Sequence, residues 1–297
     1  MTSRDPHAMK VRRAWLYSAG AAVAATLAYV GFIMPSNEAD PGTMIAIADL
    51  DLKVASTLSP HVQKKPEILE LQRQHLQKAR SRLDAVERAH PGLTITREYR
   101  AYASALEHDY SAAAQWYREA LATQNIEPSK RIELRLNLSR VLLEVGDTAA
   151  ANEQLDQVES SARDSAWWLV RAHVCDRSGD IAKRSEALQA AFAAANADEA
   201  KIKIIAETAS DLGDDIGITC YEALEKKSAI DWYRLAKLKV RAGQFDTATE
   251  ALVRVRQSKP ELLQKLMSAE EAFWSRYEGE GFHRMESRTT EAARPDR

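Results

Sequence analysis

Glycine and proline are scarce in this 297-residue chain, at 11 and 9 residues, which argues against many strands joined by tight turns. Cysteine is scarcer still. Cys175 and Cys220 stand far apart, with no CxxC and no histidines at matching spacing, so neither a zinc motif nor a disulfide framework is signalled. In apolar helical runs they read as small core fillers. The seven histidines are scattered, with His7 near the start and His108-Asp109 in a polar turn. There is no P-loop, GxGxxG, GxSxG or HExxH, so no catalytic residue, metal or cofactor is expected. What the chain has in quantity is Ala, Leu, Glu, Arg and Gln, all good helix formers, in a length sufficient for one or two domains. The expected class is all-α.

Charge is missing from one stretch altogether. Residues 14–34, "AWLYSAGAAVAATLAYVGFIM", carry no charged side chain over 21 positions, enough for a helix at about 1.5 Å per residue to cross the bilayer hydrocarbon. Arg4, Lys10, Arg12 and Arg13 precede it against Asp5 alone, and Glu38 and Asp40 follow it. The positive-inside bias places the 1–13 tail in the cytoplasm and everything after Met34 across the membrane, in the periplasm if the source is bacterial. Trp15, Tyr17 and Tyr29 sit towards the ends of the span as interfacial aromatics do. A cleaved secretory signal is the competing reading. It would have to cut mid-run after "AVA" at 22–24 or at Asn37-Glu38-Ala39, a poor site, so retention as an anchor is preferred. Gly20, Ala24 and Ala28 recur at intervals of four, but an Ala-rich span explains that spacing by chance.

Overall, 41 Lys and Arg face 43 Asp and Glu. With the four basic and one acidic residues before the span set aside, 37 basic against 42 acidic remain, a net of −5. That lacks the electrostatic footprint of a nucleic-acid binder.

After the span, residues 35–65 read as a linker with some local structure, opening on "PSNEADPG". Residues 66–90 read as an amphipathic helix, with Leu69, Leu76 and Leu83 at heptad spacing, Ala79 and Val86 on the same face, and "HPG" at 90–92 to stop it. Barely three heptads fit a helix packed on its own domain better than a coiled-coil seam.

Beyond it the chain repeats. "GQF" at 243, "GDD" at 213, "GDI" at 179, "GDT" at 146 and "HDY" at 108 are separated by 30, 34, 33 and 38 residues. The last unit, "AIDWYRLAKLKVRAGQFDTATEALVRVRQSKP", holds Trp232, Leu235 and Ala236 in its first half, Gly243 at its turn, Phe245, Ala248, Leu252 and Val255 in its second half, and Pro260 at its end. Those nine residues, in that order, resemble the tetratricopeptide repeat (TPR), whose period is about 34 residues. The unit with Trp168, Ala172, Gly179, Leu188 and Ala191 resembles it less, because Arg184 stands at the Ala position of the second helix. Leu138, Ser139, Gly146, Ala151, Leu155 and Val158 supply another copy, and Ala101, Tyr110, Ala113, Tyr117 and Ala120 a further one. The unit at 201–227, with Ala206, Gly213 and Tyr221, reads as a plain helical hairpin that keeps the stack continuous.

The resemblance implies a right-handed superhelical TPR solenoid of about five helical hairpins over residues 93–260, with a capping helix at 261–278 bearing Leu262, Leu263, Leu266, Phe273 and Trp274. The tail at 279–297 lacks periodicity and reads as disordered. It further implies a groove lined by the first helix of each pair, facing a protein or peptide partner at the position after the small residue. Those positions here are Arg140, His173 and Lys237, with Tyr102 and Tyr233 nearby as aromatic contacts and Glu207 interrupting the basic column. The family's carboxylate clamp of paired Lys and Asn is not reproduced. The expected function is a membrane-anchored scaffold or assembly factor, not an enzyme, holding a protein partner in its groove on the extracytoplasmic side. A self-associating structural protein of the envelope, forming a homo-oligomer, and an unrecognised envelope enzyme are the alternatives.

Overall fold

The computed structural model describes residues 40–59 and 65–275. The apolar segment 14–34 and the tail 279–297 lie outside the described residues. Among the described residues no helix is long and apolar enough to cross a membrane, and all regular secondary structure is helical. The chain divides into two compact units, Met1–Gln124 and Asn125–Arg297.

The first unit holds α1 (Pro41–Leu58), α2 (Pro66–Ala89), α3 (Thr94–Leu106) and α4 (Tyr110–Leu121). The stretch read as a linker thus contains an 18-residue helix. Its start is conventional: Asp40 accepts from the Thr43 amide at 3.2 Å and Pro41 sits in the first turn, where its missing N–H costs nothing. Ala48, Leu52 and Ala55 recur on one face and pack with Leu76, Ala79 and Leu83 of α2 and Ala103 of α3. Each fully buried leucine contributes about 1.5 to 3 kcal/mol. The same interface buries charge. The Asp51 carboxylate, 2 % exposed, meets His75 Nδ1 at 2.8 Å and also bonds the Arg82 guanidinium. Gln72 donates to the Ala55 carbonyl at 3.2 Å and to Ser59 Oγ at 2.7 Å, tying α2 to the end of α1.

In the second unit eight helices form four antiparallel pairs. These are α5 (Pro128–Val145) with α6 (Thr148–Asp156), α7 (Ser165–Arg177) with α8 (Ile181–Ala194), α9 (Glu199–Leu212) with α10 (Ile216–Ala223), and α11 (Ala229–Arg241) with α12 (Phe245–Ser258). First helices pack on first helices in chain order, α5 on α7, α7 on α9 and α9 on α11. The turn glycines at 146, 179, 213 and 243 all have positive φ, from 69° to 89°. In the first unit, His108 takes the same conformation at φ 62°, which shows why "HDY" aligns with the glycine-bearing turns. The acidic residue after the turn has its own cause: Asp109, Asp147 and Asp180 accept from the backbone amides of Ala112, Ala150 and Lys183 and cap the second helices.

Small residues stand where the two helices of a pair approach. Ser139 of α5 and Ala151 of α6 are both fully buried, and Ser139 donates its hydroxyl to the Ala151 carbonyl at 3.0 Å. In α12 the inward face is Ala248, Ala251, Leu252 and Val255. Arg184, Ala187, Leu188 and Ala191 of α8 follow the same spacing, so the arginine stands in register at the small position. Its guanidinium bonds Asp176 at 2.9 Å and Asp214, in the turn of the next pair, at 3.5 Å. In α10 the same spacing runs Gly217, Cys220, Tyr221, Leu224, all buried. Alignment on Gly213 puts the second helix one residue out, because its small residue follows the turn glycine by four positions, against five from Gly146 to Ala151, Gly179 to Arg184 and Gly243 to Ala248. Gly217 is the small residue: a methyl carbon placed there would stand 2.7 Å from Leu238 Cδ1 and 3.3 Å from Ala209 Cβ.

Two short helices close the unit, α13 (Pro260–Ala269) and α14 (Glu271–Trp274). The segment read as one capping helix breaks at Glu270, whose φ is −120° and ψ 29°. Leu262, Leu263, Leu266 and Met267 of α13 pack on the core formed by α11 and α12.

Candidate functional site

The first helices of the second unit give one continuous surface, and its charges are laid out by helical spacing. On α5 Arg140 is exposed, and its guanidinium donates to Asn137 Oδ1 at 2.8 Å. On α7 His173 lies one helical turn before Asp176 and Arg177. Arg177 meets Glu144 of α5 at 3.9 Å. The structure therefore brings Arg140 and His173 into one electrostatic neighbourhood. Partial burial, followed by the opposing pull of Asp176 and the guanidinium charges of Arg140 and Arg177, leaves the His173 imidazole below its ordinary value.

On the side of α7 away from this column, Arg171 meets Asp156 of α6 at 3.4 Å and also bonds Asn152. Trp167 donates its indole N–H to the Leu155 carbonyl at 3.1 Å, fixing α7 against α6.

At α9 and α11 the surface changes sign and pairs internally. Glu207, which interrupts the basic column, meets Arg234 at 3.3 Å, and Lys203 meets the buried Asp231 at 3.4 Å. Asp231 also accepts from the Ser228 amide at 2.7 Å while Ser228 caps α11, a reciprocal box that starts this helix. Ile204 and Ile230, on α9 and α11, are 54 % and 48 % exposed.

The remaining residues of the column behave differently. Lys237 meets Glu270 at 2.7 Å. Tyr233 is buried, donates its hydroxyl to Glu270 at 2.9 Å and accepts from the Trp274 indole at 3.0 Å. Burial moves the Tyr233 phenol well above its ordinary range. Lys237 and Tyr233 are thus brought together, and residues of the chain's own C-terminal segment already lie against them. Tyr102 belongs to the first unit, where it packs against the core of α1, α2 and α3. The column was an expectation carried by the family resemblance, and nothing in the sequence linked positions 233 and 237 to 270.

Among the described residues no cluster of His, Cys, Asp or Glu is arranged to hold a metal ion. Both cysteines are buried thiols; Cys220 is pushed up to about 12 by burial and the Asp214 charge, far from a reactive thiolate. A cleft of about 530 Å³ on the second-helix side is lined by Trp232, Lys239 and polar residues of α12.

No family profile and no curated protein matches the sequence. Solved structures do. PilW, a type IV pilus biogenesis factor, is 15 % identical with a TM-score of 0.52, covering 73 % of this chain and 98 % of its own. PilF of Pseudomonas aeruginosa is 16 % identical with a TM-score of 0.46, covering 75 % and 99 %. A tetratricopeptide repeat protein from Parabacteroides merdae is 14 % identical with a TM-score of 0.46, covering 77 % and 97 %. At these identities the likeness concerns fold alone. Paired antiparallel helices, left-handed turn residues between them and small residues at their closest approach, together with the likeness to PilW, give the described residues of this chain the tetratricopeptide-repeat fold.

Proposed function

We propose that this chain is a non-catalytic, membrane-anchored scaffold that holds a segment of a protein partner against the first-helix surface of its second unit. The observation that carries the reading is that this surface already holds a peptide segment, through Lys237 and Tyr233 on Glu270. Exposed Ile204 and Ile230, among charges on the neighbouring helices, add apolar contact area of the kind docking surfaces use. Anchoring is assigned to residues 14–34 on their uncharged length and on the basic flank before them, which also puts the helical units outside the cytoplasm. The pilus biogenesis factor of the same fold offers one setting, the assembly of a surface filament.

A photo-crosslinking residue at 173 or 204 in the full chain, activated in native membranes, should yield one discrete protein adduct that is absent when the same residue is placed at 71 on α2. Adducts from 71 alone would move the binding surface to the first unit. A reporter fused after Arg297 should be active outside the cytoplasm, and activity inside would overturn the topology.

A further inference from the structure

We propose that residues 270–274 are a built-in occupant of the binding surface, and that the partner segment displacing them carries the same chemistry: a carboxylate with aromatic rings three and four residues further on. The inference deepens the scaffold reading and rests on it.

The two closing helices differ in how they attach. Through Leu262, Leu263, Leu266 and Met267, α13 covers the apolar end of the last pair, as the end of a repeat stack requires. After the break at Glu270, Phe273 and Trp274 still pack on that core, and polar, directional contacts are added to it. The Glu270 carboxylate receives the Lys237 ammonium at 2.7 Å and the Tyr233 hydroxyl at 2.9 Å on the same oxygen, Oε2. Phe273 then lies 5.0 Å from the Lys237 ammonium and 5.4 Å from the Arg241 guanidinium, measured to its ring centre. Trp274, buried, donates to the Tyr233 oxygen and meets the Tyr233 ring at 5.9 Å. Positions 270, 273 and 274 share one face of a helical turn, so the three groups arrive together.

On the receiving side Tyr233, Lys237 and Arg241 recur every fourth residue and form one stripe along α11. Hydroxyl, ammonium and guanidinium in that order read one carboxylate and its neighbouring rings. Covering apolar surface needs no such reader, and α13 shows that the chain can do so without one. Ile230 stands one turn before Tyr233 on the same helix and is 48 % exposed. A partner segment that also covers it gains a contact beyond those it exchanges in kind with residues 270–274.

Because the occupant is tethered, it competes at an effective concentration of about millimolar order. A free segment of the same chemistry should therefore bind the intact chain weakly and a chain with its own occupant disabled more tightly. The probe is a labelled synthetic peptide, LMSAEEAFWSRYE, copied from residues 266–278. Fluorescence anisotropy with the full chain in detergent should give binding at least about tenfold tighter for Glu270→Ala/Phe273→Ala than for the unaltered chain. Adding Lys237→Glu should abolish it, as should replacing by Lys the first glutamate of the peptide's Glu-Glu pair, the phenylalanine or the tryptophan. Glu270→Gln alone, which keeps the shape and removes the charge, should raise affinity in the same direction and guards against loss of folding in the double variant. Equal or absent binding to all folded variants, with helicity and melting unchanged, would make residues 270–274 a plain cap and overturn the proposal. Peptide binding that appears only with chain dimers in light scattering would assign the surface to a second copy and overturn the partner assignment. Crosslinks from 173 or 204 to a partner would survive either outcome, so failure here is separable from failure of the scaffold reading.

Discussion

Arg184 of α8 and Asp214 in the following turn hold two consecutive helix pairs together, with guanidinium and carboxylate 3.5 Å apart. Both side chains are nearly buried, at 12 % and 6 % exposure. Asp214 also accepts from the Ile216 amide at 3.2 Å and the Ser185 hydroxyl at 3.3 Å, so its charge is well coordinated. The TPR pattern places alanine where Arg184 stands. Arg184→Ala restores that pattern, yet it strands the carboxylate in a poorly solvated turn and should cost about 3 kcal/mol in urea unfolding. A neutral or stabilising result would show that the pair gives no net support to the junction.

Gly217 yields a second expectation. The space at its α-carbon is taken by Leu238, itself fully buried. Gly217→Ala forces that leucine to shift, and Gly217→Val adds two more carbons that have nowhere to go. The valine variant should lose about 1 to 3 kcal/mol more than the alanine variant in thermal or urea melts. Equal stabilities would mean that α10 stands further from α11 than described.

In the first unit, Asp51→Ala leaves His75 and Arg82 facing an apolar gap between α1 and α2. The expected loss is about 3 kcal/mol. Hydrogen exchange should show it as lost protection in α1 and α2 first, with α11 and α12 unaffected.

His173 carries a pH prediction. Its imidazole titrates below the ordinary value of 6.5, through burial first, with Arg140 and Arg177 acting in the same direction. As pH falls below 6.5 the unfolded chain takes up its proton before the folded chain does. This residue therefore makes stability decline through that window and has no effect above it. NMR titration of the His173 ring should place its midpoint below 6.5, and Arg140→Ala should raise it. An unchanged midpoint in Arg140→Ala would separate the two residues.

Much of this fold was legible because its signals are local. A turn residue and a capping aspartate mark each start of a second helix at Asp109, Asp147 and Asp180, and three residues can be read without knowing what they touch. The register of α10 escaped because Gly213 drew the alignment. The spacing from Gly217 through Cys220 and Tyr221 to Leu224 was the better guide, matching Ala248, Ala251, Leu252 and Val255 residue for residue. The helix α1 escaped for another reason. Its inward face mixes alanines with a buried aspartate, which spoils the apolar period, although Asp40-Pro41 is a helix start that sequence shows plainly. At the candidate site the positions on α5, α7 and α11 were expectations of the family resemblance. The occupant at Glu270 was not, because a contact between residues 237 and 270 depends on how the chain folds back.

The junctions of the second unit also differ in how far solvent ions reach them. Between the α5/α6 and α7/α8 pairs the charge pairs are Arg177 with Glu144 and Arg171 with Asp156, with side chains 27 % to 57 % exposed. Between α7/α8 and α9/α10 the pair is Arg184 with Asp214, shielded from solvent. Dissolved salt weakens the first set and hardly touches the second. Under a pulling force the stack would behave as a spring of unequal coils. The coil between α5/α6 and α7/α8 loosens as ionic strength rises, while the one between α7/α8 and α9/α10 keeps its stiffness.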